Sequence, residues 1–199
     1  MDVARQVRAA LEAHRAVREV TLVGSRGSGR AHDFSDWDFT VAVDDFEAVA
    51  LDMHRLVAPL RPLSEQWDPY SRVECYMLLL PGPTKIDLMF PSRRREWSPA
   101  WDPSPETLEA IDRHFWDWIL WLEQKRRGGR PGVFAKSLRD MFKLLLAPMG
   151  VEEEPRALPE AVRGYLDARV ELERRFGVTV PRELEREVSP VILREGRSE

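Results

Sequence analysis

Residues 24–43, with the sequence GSRGSGRAHDFSDWDFTVAV, decide how the first half of this chain is interpreted. The stretch begins as a segment rich in glycine and serine and ends as a run in which apolar and polar side chains alternate. Such alternation predicts a half-buried β-strand whose apolar side faces the core. Asp36 and Asp38 stand at the start of this strand, and a side-chain period of about two puts both on its polar face.

The composition of the chain sets broad limits on its class. Its 199 residues are 43% hydrophobic and 32% charged, which is enough to build one or two small domains. The net charge of -4 argues against a dedicated nucleic-acid binder, because such proteins are usually basic. The sequence contains no apolar run long enough to span a bilayer and no signal-peptide pattern. We therefore expect a cytoplasmic protein with neither a nucleic-acid nor a membrane partner, and a buried thiol at the single cysteine, Cys75.

Periodicity predicts a mixture of helices and strands in the first half of the chain and helices alone in the second. Strands are expected at 19–24, 36–43, 72–80 and 84–90, with helices at 3–17 and from just after Asp45 to about residue 59, the second capped by Asp44. A connector rich in proline and arginine, 91–103, marks a domain boundary. Three or four helices are expected after it, starting at 104, 132 and 158, and the charged tail after Pro190 is expected to fray.

The two aspartates at the strand start predict a cation site. Two carboxylates on one face repel each other unless a positive charge lies between them, and Mg²⁺ is commonly held by one or two carboxylates together with substrate phosphates. A third acid is available in the later strand TKIDLMF. Its apolar face is formed by Ile86, Leu88 and Phe90, so Asp87 is expected on the polar face of the same sheet.

The glycine-serine segment has a matching interpretation as a phosphate-binding turn. A strand that ends at Gly24 and Ser25 and turns sharply presents backbone N–H groups and a hydroxyl to a phosphate. Gly27 and Gly29 keep side chains away from this turn.

These residues resemble the nucleotidyltransferase superfamily, whose fold is similar to that of polymerase beta. The resemblance rests on Gly24-Ser25, Gly29, the Ser35-Asp36-x-Asp38 motif and the later Asp87, and it covers approximately residues 20–90. Within the superfamily the chain is most similar to the small bacterial aminoglycoside and lincosamide nucleotidyltransferases. The resemblance implies an α/β fold, in which a small mixed-sheet nucleotidyltransferase domain (1–96) is followed by a C-terminal helical bundle for substrate or partner (104–190).

The resemblance also implies an activity and roles for individual residues. AMP would move from ATP to a hydroxyl of a small acceptor, an antibiotic among the candidates. Asp36 and Asp38 would hold two Mg²⁺ ions, and Asp87 would ligate the catalytic one and take the acceptor's proton. Gly24, Ser25, Gly29 and Ser35 would contact the nucleotide. Charge and position alone suggest Lys136, Arg139 or Lys143 as a further contact to the triphosphate.

Two alternatives to a small-molecule enzyme stay open at this stage. The first is a protein-modifying adenylyltransferase of the antitoxin type, and the second is a nucleotide-binding module without turnover. The tryptophan-rich stretch HFWDWILWL is compatible with a sugar-stacking wall, but a buried bundle core or a contact with a partner protein or second copy is favoured, because the stretch is apolar nearly all round. His32 lies within the expected phosphate loop.

Overall fold

The computed structural model describes residues 2–32 and 35–193. It divides into two compact units, Met1–Ser98 and Pro99–Glu199. The elements of the first unit are α1 (Val3–Glu12), β1 (Val17–Leu22), the helical turn α2 (Gly24–Gly27), β2 (Trp37–Val43), α3 (Phe46–Val57), a 3₁₀ turn (Ala58–Leu60), β3 (Ser64–Trp67), β4 (Val73–Leu80) and β5 (Thr84–Arg94). Those of the second unit are α4 (Leu108–Arg127), α5 (Pro131–Met141), a π-helical turn (Phe142–Leu146), α6 (Leu158–Phe176) and α7 (Glu183–Leu193).

The first unit is built on one five-stranded mixed sheet with the order β1-β2-β5-β4-β3. Strands β2 and β5 are parallel, and the other neighbouring pairs are antiparallel. The predicted fold class, a small mixed-sheet domain followed by helices, is confirmed.

One face of this sheet carries the hydrophobic core of the first unit. Phe39 of β2 and Leu88 of β5 are fully buried there, and they belong to the same cluster as Leu11 of α1 and Val49 of α3. Because side chains alternate along a strand, the residues between these core positions project from the opposite face. Asp38 and Asp87 occupy such intermediate positions.

Two strand predictions need correction. The edge strand β3 (Ser64–Trp67) was not predicted, because its sequence SEQW is short and mostly polar. Strand β5 does not end at Phe90 but runs to Arg94, into the stretch taken as a connector. Pro91 is accommodated because the β4–β5 register is irregular at this point: Val73 pairs with Arg94 and the next residue, Glu74, with Phe90.

Four helix predictions were also wrong in detail. The first helix, predicted at 3–17, ends at Glu12, and Val17 already begins β1. Asp45, not Asp44, caps α3, since its carboxylate accepts the N–H of Ala48. Helix α4 begins at Leu108, several residues after the predicted start at 104. Helix α7 contains Pro190 and runs on to Leu193, so the chain does not fray directly after the proline. The rest of the predicted frayed tail, 194–199, lies outside the described residues.

The second unit is organised around a buried polar network. Asp112 of α4 is 2% exposed, and its Oδ1 accepts hydrogen bonds from the Trp116 indole (3.1 Å), the Tyr165 hydroxyl and the Arg169 guanidinium (3.0 Å). Arg169 also pairs with Glu185 of α7. Burial and the Asp112 carboxylate together raise the pKa of Tyr165 well above its ordinary value, so the phenol keeps its proton and donates it to this bond. The network joins helices α4, α6 and α7 through polar side chains.

The tryptophan-rich stretch is largely part of this core. Trp116 is fully buried, while Trp118 and Trp121 are half-buried. The Trp118 ring stacks on His114, whose Nδ1 accepts the indole N–H of Trp101 at 3.2 Å. The preferred reading of this stretch as bundle core therefore describes Trp116 and its neighbours better than an open stacking wall does.

We expect Asp112→Ala to destabilise the helical unit by about 3–5 kcal/mol, because it leaves the buried Arg169 guanidinium without one of its anionic partners. The matched control is Glu109→Ala on the same helix, which breaks a half-exposed pair with Arg113 and should cost less than about 1 kcal/mol. Urea denaturation followed by far-UV circular dichroism gives both values. Equal costs for the two variants would contradict a structural role for the network.

Candidate metal and phosphate site

The three aspartates of the sequence motif lie together in the structure. Asp36, Asp38 and Asp87 each offer one carboxylate oxygen, and these oxygens lie within 4.8 Å of one another. Asp36 is buried, and Asp38 and Asp87 are half-buried. At such separations three negative charges repel strongly, and the arrangement is typical of residues that share a divalent cation.

The pairing of two parallel strands produces this arrangement. Asp38 of β2 is the direct partner of Asp87 of β5. Both are flanked by residues of the hydrophobic core, so both carboxylates must leave the sheet on the side away from α1 and α3. Asp36 precedes β2 by one residue and shares the face of Asp38.

Gly24 makes close contact with this acidic cluster. Its φ of +63° is a left-handed conformation that glycine adopts without strain. A Cβ added at this position would overlap Oδ2 of Asp38 and approach its Cγ to 3.0 Å. There are therefore two reasons for glycine at this position. The backbone has a left-handed φ, and the Asp38 carboxylate occupies the place that a side chain would need.

The expected open loop after Gly24 is a short helical turn, α2. Within it the Ser25 hydroxyl oxygen is buried and has no hydrogen-bond partner among the described residues. Buried hydroxyls without partners are uncommon in folded proteins, because leaving one unsatisfied costs about 1–3 kcal/mol. A ligand oxygen at the Gly24–Ser25 turn would satisfy it. The unpaired hydroxyl, the carboxylate donor set and the space kept free by Gly24 together fit a metal ion and the phosphates that accompany it.

Arg26 was missed by the sequence analysis, although it organises the site. Its guanidinium donates to the backbone carbonyls of Ser35 (2.7 Å) and Asp36 (3.2 Å). The same group lies over the Trp37 ring, 4.1 Å from its centroid. Arg26 thus ties the helical turn to the segment that carries Asp36. An arginine directly after Gly-Ser was visible in the sequence, but its partners are backbone atoms that no motif identifies.

Ser35 and His32 are joined by two hydrogen bonds next to Asp36. The Ser35 hydroxyl accepts the His32 N–H at 3.0 Å, and the Ser35 N–H donates to the His32 carbonyl at 2.9 Å. This reciprocal pair gives Ser35 a structural role beside the predicted nucleotide contact. Gly29 has a φ of +70° and open space around its Cβ position.

The predicted triphosphate contact Lys136 belongs to the second unit. Its ammonium pairs with Asp140 one turn further along α5, at 2.6 Å. Arg139, the neighbouring candidate, lines a cleft of about 790 Å³ in the same unit, together with Phe134, Leu138, Glu154 and Arg156.

Lys85 and Asp68 are two further charged residues that the sequence analysis overlooked. The Lys85 ammonium lies 2.6 Å from Oδ1 of Asp87. Burial raises the pKa of Asp68, and the Asp87 carboxylate adds to this shift while the Tyr70 N–H and the Lys85 ammonium oppose it. Lys85 was detectable in the sequence, since it stands two residues before Asp87 in one strand. Asp68 follows the edge strand β3, which was itself not predicted.

Comparisons with known proteins give distant structural neighbours only. No family model and no curated protein matches the chain. One solved structure that is similar is an aminoglycoside 6-adenyltransferase from Bacillus subtilis, with a TM-score of 0.37, 10% identity and coverage of 98% of both chains. Another is the polymerase core of TRAMP, an RNA surveillance complex, with a TM-score of 0.38 and 13% identity over 86% of this chain and 55% of that one. At these TM-scores they decide nothing about the substrate or mechanism of this chain.

We expect Gly24→Ala to weaken Mn²⁺ binding at least about tenfold, because the new methyl group must displace the Asp38 carboxylate. Gly29→Ala is the matched control: it pays a similar backbone cost of about 1 kcal/mol at positive φ but meets no neighbouring atom. Free Mn²⁺ measured by electron paramagnetic resonance during a titration reports both affinities. If the two variants bind Mn²⁺ equally well, Gly24 is required only by the backbone turn.

Proposed function

We propose that this protein is a metal-dependent nucleotidyltransferase that moves AMP from ATP to a hydroxyl of a small acceptor. The observation that carries the proposal is the cluster of three carboxylates within 4.8 Å, next to a glycine-serine turn with an unpaired buried hydroxyl. Hydrolytic and transfer reactions at phosphorus need charge neutralisation and positioning more than they need a protein nucleophile. The site offers acids to hold cations and a turn to hold phosphate, which suits this requirement.

Asp36 and Asp38 are the residues proposed to hold the nucleotide's metal ions, with Asp87 as the third ligand. Bound Mg²⁺ would neutralise the phosphate charge and lower the pKa of an acceptor hydroxyl. The Ser25 hydroxyl and the backbone of the Gly24 turn would hold the outer phosphates of the nucleotide.

The proposed reaction replaces one oxygen bound to the α-phosphorus of ATP with the acceptor's oxygen. The acceptor oxygen forms a bond to the α-phosphorus while the bond from that phosphorus to the bridging oxygen breaks, and pyrophosphate leaves. The acceptor's proton goes to a carboxylate of the site. We assign this role to Asp87, because it is half-buried beside Asp38 and only one of its oxygens is paired with Lys85.

The helical unit is proposed to bind the acceptor. Its cleft between α5 and the residues around the start of α6 is lined by the apolar Phe134 and Leu138 and by charged side chains of both signs. Such a lining favours a polar acceptor of small size over an extended apolar one. Lys136 and Arg139 remain proposals for contacts to the triphosphate.

The experiment that tests the proposal is a Mg²⁺-dependent transfer assay with labelled nucleoside triphosphates. The acceptor panel should contain aminoglycosides, lincosamides and candidate partner proteins. Label on a small molecule supports the proposal, label on a protein supports a protein-modifying adenylyltransferase, and nucleotide binding without transfer supports a binding module. In residues 2–32 and 35–193 the structure has no helix that could span a bilayer.

We expect Asp36→Asn or Asp38→Asn to abolish transfer while the metal-free protein stays folded or becomes slightly more stable. The reason is that each change removes a ligand and, at the same time, relieves carboxylate repulsion. Asp44→Asn serves as the control, because Asp44 is an exposed acid of the same unit that pairs with Arg18. Thermal melts with and without Mg²⁺, together with the transfer assay, provide the readout. Parent-level activity in either site variant would rule out this metal site.

We expect Asp87→Ala to keep most of the ATP affinity and to lose turnover by several orders of magnitude. Asp36 and Asp38 would still hold the nucleotide's metal, whereas the acceptor's proton would lose its nearest base. Equilibrium ATP binding and single-turnover transfer separate the two effects. Glu47→Ala, which breaks an exposed pair with Arg93, should leave both unchanged. A variant at Asp87 that transfers at the parent rate would remove this residue from the mechanism.

A further inference from the structure

Lys85 is a buried lysine beside the acidic cluster. It is 3% exposed, and lysine is almost never found at this burial unless its charge is paired. Its ammonium lies 2.6 Å from Oδ1 of Asp87, which is itself only 14% exposed. An ion pair this well shielded from water is screened far less than a surface pair.

The strand geometry directs Lys85 to the acids. Lys85 and Asp87 are two residues apart on β5, so their side chains leave the same face of the sheet. On the neighbouring strand β4, Lys85 is paired with Leu79 and Asp87 with Met77, and neither partner is charged. The charged neighbours of the ammonium are therefore carboxylates of the site and the adjoining Asp68, whose pKa burial raises and the Lys85 charge opposes.

We infer that Lys85 is a positioning residue that holds one oxygen of Asp87 and supplies positive charge to the acidic cluster before metal binds. The pairing fixes Oδ1 and leaves the second oxygen of Asp87 to face a metal ion and an acceptor. This inference rests on the proposed metal site, and it adds a residue that the nucleotidyltransferase motif does not include.

Two consequences distinguish this role from simple packing. In the metal-free protein, loss of the Lys85 charge leaves the carboxylates to repel one another, so stability falls. When a divalent cation binds, the same loss removes a repulsive charge from its vicinity, so affinity rises. A residue that only fills space would lower stability equally with and without metal and would not tighten metal binding.

The test uses Lys85→Met, which keeps most of the length of the side chain but removes its charge. We expect this variant to bind Mn²⁺ about three to ten times more tightly than the parent in a titration without nucleotide. We expect its metal-free melting temperature to fall by about 5 °C or more, with saturating Mn²⁺ recovering most of the loss. Arg18→Met is the control: it also removes the cation of an ion pair in the same unit, but from an exposed pair with Asp44.

A second variant decides the question if Lys85→Met alone does not fold. In the Asp87→Asn background the paired carboxylate charge is already gone, so the double variant should fold even where Lys85→Met alone does not, and where both costs are measurable Lys85→Met should cost less than half of what it costs in the parent. A double variant that fails to fold although Asp87→Asn folds would also overturn the inference. An equal cost in both backgrounds would overturn the inference, because the lysine would then serve packing or Asp68 instead of Asp87.

The metal titration also separates the two proposals. A parent protein that binds no Mn²⁺ would overturn both the metal site and the role of Lys85. A parent that binds Mn²⁺, with Lys85→Met binding no more tightly, would overturn the inference about Lys85 alone and leave the metal site standing.

Discussion

The parallel pairing of β2 with β5 is the constraint on which the candidate site depends. It brings Asp38 level with Asp87, although the two are separated by a helix and two further strands in the chain. The pairing is fixed from the other face of the sheet, where Phe39 and Leu88 are buried together with side chains of α1 and α3. A shift of either strand by one residue would turn its acid into that apolar core. The hydrophobic core on one face of the sheet thus fixes the positions of Asp38 and Asp87 on the other face.

The carboxylates are held together by positive charge and hydrogen-bond donors around them. Lys85 pairs with Asp87 on the strand itself, and Arg26 binds the backbone of the Asp36 segment from the neighbouring turn. Lys85 offsets the charge of the Asp87 carboxylate directly. Arg26 instead holds the backbone of the segment that carries Asp36. Gly24 completes the arrangement because its missing side chain leaves room for the Asp38 carboxylate.

The fold class and the face on which the acids lie could be predicted from the sequence, because both follow from the alternation of apolar and polar side chains along the strands. The apolar positions in TKIDLMF require Asp87 to face away from the core, and the mixed sheet followed by helices was predicted correctly. The failures have physical reasons that periodicity does not capture. Strand β3 is an edge strand too short and polar to show a pattern, and Pro91 is tolerated in β5 because it falls at an irregular register. Arg26 was passed over because its role lies in contacts to backbone carbonyls, which carry no sequence signature.

The backbones of the three aspartates are not held equally firmly. Asp38 and Asp87 sit on paired strands whose neighbours are fully buried, so their backbones are fixed by the core. Asp36 lies just before β2, and its segment is held by Arg26 and by the reciprocal bonds between His32 and Ser35. Hydrogen bonds to a loop rearrange at lower cost than a packed strand pair does. The strand pair therefore supplies a rigid reference, and in the proposed metal site Asp36 would be the acid whose position adjusts most easily on binding.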